Sequence, residues 1–439
     1  MTSTSVLKTA LLLGVVAPLA GGAVGVVVSL FRLTLDAAAR MRDSVLELTS
    51  KAPAGAGQIA LVVAVIGASA CMVALAAFLV RRFCPEAAGS GIPRVQSVLA
   101  GELPPAPARV VPVKFAAGAL AIAPGLALGR EGPSVQMGAS IAYHMSRVFS
   151  VDATTSLNLL AAGGGAGFAA AFSAPLAGSL FVVEALLKRF EPLTAMMSLA
   201  AAAGASWVVH VLCGATSDIT VGALGAPSLT MSFYCILLGL LAGAAGIVYH
   251  YTLLGALNLS DRVRLSPVLR AGTVGAVFGV IAIFSTSLVG PGSDAVRNAL
   301  AGHGEFQVLP LLFALRLLLI AGSVAAGTPG GLLVPLLSLG AELGLMFSLL
   351  CGIGISGDAV PSSGFVLVGM AALFAAIVRT PVTAIVLVME MTSNVTMALP
   401  MTCAVFAATL VPTLLGVPSI LDALRTRPAA TSREEAASR

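Results

Sequence analysis

The sequence predicts an all-α integral membrane protein assembled from two repeats whose helices are broken by glycine and proline. Three observations carry that prediction. Of the 439 residues, 58% are apolar and 10% are charged, whereas an ordinary soluble domain carries about 25% charged residues. Most of the outer surface must therefore face lipid. Apolar runs long enough to span a bilayer alternate with shorter ones that are not. The two halves also echo each other around their glycine- and proline-rich breaks.

Taken in order, residues 11–35 form the first spanning run, closed by Arg40, Arg42 and Asp43. Residues 1–8 lead into it without a cleavage pattern, so it reads as a helix rather than a removable leader. Residues 59–80 form the second run, ended by Arg81 and Arg82. Gly89-Ser90-Gly91-Ile92-Pro93 then interrupts the pattern ahead of residues 95–99. That segment is too short to span, and its backbone is tolerated at depth only where it lines a cavity. Residues 111–128 are apolar apart from Lys114, and a helix-length stretch follows the next break as far as His144. Residues 154–172 contain Gly163-Gly164-Gly165, which suits close helix packing. Residues 175–187 make a half-length segment, and 196–212 and 234–257 can span. The polar stretch 258–270 reads as the linker between repeats. Residues 271–288 are apolar and 290–306 read as a loop. Residues 309–326 span, 327–335 form another Gly/Pro break, and 336–350 follow it. After a loop at 354–363 come three short apolar segments at 364–377, 382–391 and 399–415. The expected organisation is thus a first repeat over 1–257, a linker over 258–270, a second repeat over 271–425 and a short tail over 426–439.

The internal echo is specific. Pro133-x4-Gly138-Ala139 is matched by Pro335-x4-Gly340-Ala341, 202 residues later. Phe168-Ala169-Ala170-x4-Pro175 is matched by Phe374-Ala375-Ala376-x4-Pro381, 206 residues later. Each of these later prolines is followed nine residues on by a glutamate, Glu184 and Glu390. Repeats with discontinuous helices place binding near the midplane, where they meet.

The chemistry centres on Gly129-Arg130-Glu131-Gly132-Pro133, directly after an apolar run. A charge at that depth is costly unless it is paired, solvated or used. Two readings stand side by side: a packing pair of Arg130 and Glu131, or a carboxylate beside free backbone amides. Three breaks, at 89–93, 129–133 and 327–335, supply amides, the Ser90 hydroxyl and helix N-termini, with little fixed positive charge. Such a set suits a small anion that must bind and then leave. Glu131 is itself an anion, so deprotonated it closes the path and protonated it releases it. Lys114 either raises the local positive potential or snorkels to an interface.

Other classes are disfavoured. The net charge of +5 is spread over short clusters such as Lys188-Arg189, which fit interfacial positions and not a nucleic-acid surface. Six scattered cysteines and four scattered histidines form no metal-ligand spacing. No nucleophile and base can be assembled, so an enzyme is not expected, and neither is a cofactor.

Gly89-Ser90-Gly91-Ile92-Pro93, Gly129-Arg130-Glu131-Gly132-Pro133, Gly330-Gly331-Leu332-Leu333-Val334-Pro335 and Glu390-Met391-Thr392 occur in an order that resembles the CLC family of chloride channels and proton–chloride antiporters. The resemblance runs to about Arg425. It implies inverted repeats, a homodimer with one anion path per subunit, and a bacterial plasma membrane. By that resemblance Ser90 coordinates the inner anion together with the adjoining Gly91 and Ile92. The amides of Leu332 and Leu333 form the outer coordinating pair, and Glu131 is the external gate. Lys114 and Arg130 accompany the pathway. Serine at 90 implies chloride or a broad halide preference.

Two positions depart from the family pattern. Proton-coupled relatives carry two acids where this chain has Glu184 and Ala185. The second is the internal proton-transfer position, so that role is lost at Ala185, and Ala174-Pro175-Leu176-Ala177-Gly178 fixes the register against a shift to Glu184. Some exchangers lacking that acid still move protons through water. The inner-gate tyrosine position is Leu421, which has no hydroxyl to donate. The reading drawn from these features is chloride permeation, channel-like or weakly proton-coupled and gated by Glu131. Its alternative is a proton–chloride antiporter with a non-standard internal proton route. Nucleotide regulation is not expected, because the family's paired cytoplasmic sensing domains do not follow.

Overall fold

The computed structural model describes residues 12–214, 219, 221–222, 224, 227, 229–352 and 362–427. Among these are seventeen α-helices and no strand beyond one isolated bridge. A π-wound turn, Leu12–Val16, leads into α1 (Ala17–Lys51), with Pro18 in its first turn. The charges at Arg40, Arg42 and Asp43 do not end this helix as expected. Arg, Glu and Lys are good helix formers, and Lys51 pairs with Glu47 one turn back at 2.5 Å.

The next elements are α2 (Ala56–Phe83), the short α3 (Ile92–Leu99) and α4 (Val110–Ile122). Then come α5 (Glu131–Val148), α6 (Ala153–Phe172) and α7 (Pro175–Phe181), the last continued by a π-wound turn, Val182–Leu187. Asp152 caps α6 through the Thr155 amide at 3.0 Å. Two long helices follow, α8 (Pro192–Cys213) and α9 (Leu229–Arg262). The polar stretch expected as a linker is therefore largely helical, leaving 263–266 between α9 and α10 (Pro267–Phe284).

The loop expected at 290–306 contains α11 (Ser293–Leu300), which forms because Val296 and Ala299 bury one face while Asp294 sits in its first turn. Next are α12 (Leu309–Ala325), α13 (Leu333–Leu350), α14 (Ser362–Val378), α15 (Pro381–Thr392), α16 (Ala398–Leu414) and α17 (Ile420–Thr426). The expected loop at 354–363 and tail at 426–439 fall mostly outside the described residues.

Six of the described helices are long and apolar enough to cross a membrane. Several of them, α2 above all, leave most of that apolar surface exposed, so lipid is the solvent that makes their exposure favourable. The core is formed by the crossed pairs α5/α6 and α13/α14, around which the longer helices stand. The two crossings correspond. Gly138 lies against the Gly163 backbone, and Gly340 lies where a Cβ would come 2.6 Å from the Gly369 carbonyl. The sequence echo is thus a packing echo, because only glycine lets each pair of helix backbones approach so closely.

Candidate functional site

The three breaks meet. Gly129 donates to the Gly331 carbonyl at 2.9 Å and Gly331 donates back at 2.7 Å, a two-bond antiparallel bridge between the halves of the chain. Gly330 donates to the Gly89 carbonyl at 3.4 Å, bringing in the third break. A Cβ on Gly132 would stand 2.5 Å from Ser90 Oγ, so Ser90 and the residue after Glu131 are in contact. The N-termini of α3, α5 and α13 accordingly converge on one buried point, with their unpaired amides available there.

Glu131 is fully buried at that point. Its Oε1 accepts from the Leu333 amide at 2.6 Å and the Val334 amide at 3.1 Å, while Oε2 has no partner. The carboxylate therefore occupies an anion position at a helix N-terminus. The engaged pair is one residue further along than the Leu332–Leu333 pair of the sequence expectation, because Leu332 is the residue just ahead of the first turn of α13. Gly331 has no Cβ to collide with this carboxylate. Arg130 has further partners of its own. Its Nε donates to the Ala171 carbonyl at 3.1 Å, and its guanidinium lies 4.0 Å from Asp36.

Lys114 is fully buried and does not snorkel. Its Nζ donates to the carbonyls of Ala87 at 2.9 Å and Gly89 at 2.7 Å. It holds the turn that presents Ser90. Gly91 follows in the left-handed region at φ +87°, pressed against the Gln136 side chain, so no larger residue fits there.

A cavity of about 490 Å³ reaches this point from one side, lined by Arg32, Asp36, Arg42, Gly129, Arg130 and Val334 among others. A separate cavity of about 480 Å³ is lined by Gln96, Glu184, Ala185, Lys188, Arg379 and Asp422. Burial opposes the charge on Asp422, but Lys188 and Ser419 donate to it and hold its carboxyl below the usual range.

A family profile described as "Voltage gated chloride channel" matches residues 72–413. The chain belongs to the CLC family. The H+/Cl- exchange transporter ClcA of Vibrio cholerae is 37% identical over 348 residues, covering 77% of this chain and 74% of that protein. ClcA of Cronobacter sakazakii is 36% identical over 375 residues, covering 84% and 80%. The CLC fold is matched by a slow cyanobacterial Cl-/H+ antiporter with a TM-score of 0.86 at 29% identity, over 94% of this chain and 96% of that one. A CLC-type fluoride/proton antiporter shares the fold at a TM-score of 0.78 and 20% identity, over 94% and 96%.

Within this CLC chain the two departures are buried. Ala185 borders the Gln96 cavity and Leu421 is covered on α17. Glu184 is engaged at a helix end. Its oxygens accept from the Val382 amide at 3.1 Å, the Thr383 amide at 2.7 Å and the Thr383 hydroxyl at 2.6 Å. It caps α15 as a carboxylate. Glu390 returns the arrangement on α7, accepting from Leu176 at 3.0 Å and Ala177 at 2.8 Å. The matched glutamates in the sequence echo were the visible trace of this reciprocal cap. Two further features had no such trace: the Gln96 carboxamide, and a buried pair of Arg316 and Glu342 at 2.8 Å.

Proposed function

We propose that this protein exchanges chloride for protons across a bacterial plasma membrane, as a homodimer with Glu131 as the shared gate of each subunit. The observation that carries the reading is the Glu131 carboxylate seated on the Leu333 and Val334 amides where the three breaks meet. Relatives named as exchange transporters support proton coupling over a channel-like path.

In this reading a chloride ion competes with the carboxylate for the same amides. Protonation removes the charge of Glu131 and its claim on them, so chloride takes the position. Loss of the proton to the opposite side returns the carboxylate and displaces the ion. Ser90, Gly91 and Ile92 hold the inner anion, with the Leu332 and Leu333 amides facing it. Because Ala185 and Leu421 replace an acid and a hydroxyl, the coupling is looser than one proton path with a fixed internal acid would give.

The test is a reversal potential in proteoliposomes under opposed chloride and proton gradients. Exchange displaces it from the chloride equilibrium potential and drives uphill proton uptake by a chloride gradient. A reversal at the chloride equilibrium potential, with no proton movement, returns the reading to a passive chloride path.

A further inference from the structure

Gln96 is buried on α3, six residues beyond Ser90. Its Nε2 donates to the Ala185 carbonyl at 2.9 Å. That bond fixes the carboxamide plane, so Oε1 is held on the opposite side, where it is buried and has no partner. A buried carbonyl oxygen left unsatisfied is costly, and a polar site with room normally holds water. Room is present, because Gln96 and Ala185 both line the 480 Å³ cavity, which takes on the order of ten waters.

Two more buried oxygens lack partners, Ser90 Oγ and Glu131 Oε2. Ser90 Oγ touches Gly132, next to Glu131. At the helical rise, Gln96 stands about 6 Å along the axis from Ile92, with the Ser90 turn just beyond. Two or three waters at about 2.8 Å spacing cover that distance.

We propose that Gln96 is a positioning residue for the inner proton path. Its Oε1 accepts from the first water of a chain that runs from the Ala185 cavity, past Ser90, to Glu131 Oε2. The proposal rests on the antiporter reading above. A proton enters as hydronium in the cavity, hops from water to water, and ends on the Glu131 carboxylate as the neutral acid. No bond to Gln96 forms or breaks, because the carboxamide orders water and stores no proton. The acids nearby are already committed, Glu184 to the α15 amides and Asp422 to Lys188.

The experiment compares the wild-type chain with Gln96→Met and Gln96→Glu in proteoliposomes, reading the proton-to-chloride ratio under a chloride gradient. Methionine keeps the bulk and removes the acceptor, and the ratio is expected to fall about tenfold. Glutamate keeps an acceptor oxygen and is expected to retain the ratio. A wild-type ratio in Gln96→Met overturns the proposal. If Gln96→Met fails to fold, Ala185→Val is measured. It disturbs the Ala185 end of the same path, and Gln96→Leu, which also lacks the acceptor, is read beside it: a lowered ratio in Gln96→Leu supports the proposal and an unchanged one overturns it. Absence of proton movement in the wild type itself sinks the antiporter reading and this proposal together, whereas a coupled wild type beside a coupled Gln96→Met sinks only the proposal.

Discussion

In the proposed exchange, a single oxygen decides the state of the path. Glu131 Oε1 holds two backbone amides, and in that exchange the side chain is a tethered competitor of chloride for them, its strength set by its proton. Replacing Glu131 with glutamine removes the charge and the titration while keeping the size. Glu131→Gln is expected to flatten the pH dependence of chloride flux while flux continues, measured by chloride efflux from liposomes between acid and neutral pH; a dependence that persists would remove Glu131 from the gate. Leu421 offers the opposite experiment. In the proposed exchange, a hydroxyl placed there would donate to the central ion, which is worth about 1 kcal/mol or roughly fivefold in affinity. Leu421→Tyr is therefore expected to bind chloride about fivefold tighter by titration calorimetry, and equal affinity would place the Leu421 position away from the ion. Gln96 shows the limit of reading at this scale. A glutamine in a short apolar segment has no spacing that distinguishes it from a buried hydrogen-bonding residue, and its importance emerges only from the cavity beside it.

Helices begin inside the Gly/Pro breaks, which is why the site was legible in the sequence: α3, α5 and α13 start within three residues of the expected positions. Helix ends were less legible. α1 runs on through charged residues because Arg, Glu and Lys are good helix formers once an apolar stretch has anchored them, and α9 runs on to Arg262. The α12–α13 pairing was invisible altogether. Arg316 and Glu342 lie on separate segments with no repeat to flag them, yet they form a buried ion pair. Breaking such a pair by removing one partner costs about 3–5 kcal/mol, whereas apolar replacement of both is often near neutral. Arg316→Met alone is expected to lower thermal stability in detergent sharply, and adding Glu342→Leu to restore most of it. A double variant as unstable as the single one would mean that the pair has another structural duty.

Across the whole molecule, the repeats are joined at two levels. The Gly129–Gly331 bridge ties them at the site, and Glu184 and Glu390 cap each other's repeat at α15 and α7. A charge-assisted cap of this kind is worth about 1–2 kcal/mol. Glu184→Gln and Glu390→Gln are each expected to lower the thermal midpoint, and the double variant by an amount different from the sum, since both caps join the same two helices. Strict additivity would show the caps to be independent. The reciprocal cap also bears on how the polypeptide is made. Leu176 reaches the translocon well before its partner, which lies 214 positions downstream. The early half must therefore wait in the bilayer with a bare helix end until Glu390 has been made, and a nascent chain stalled before that point would present quality-control proteases with that unfinished surface.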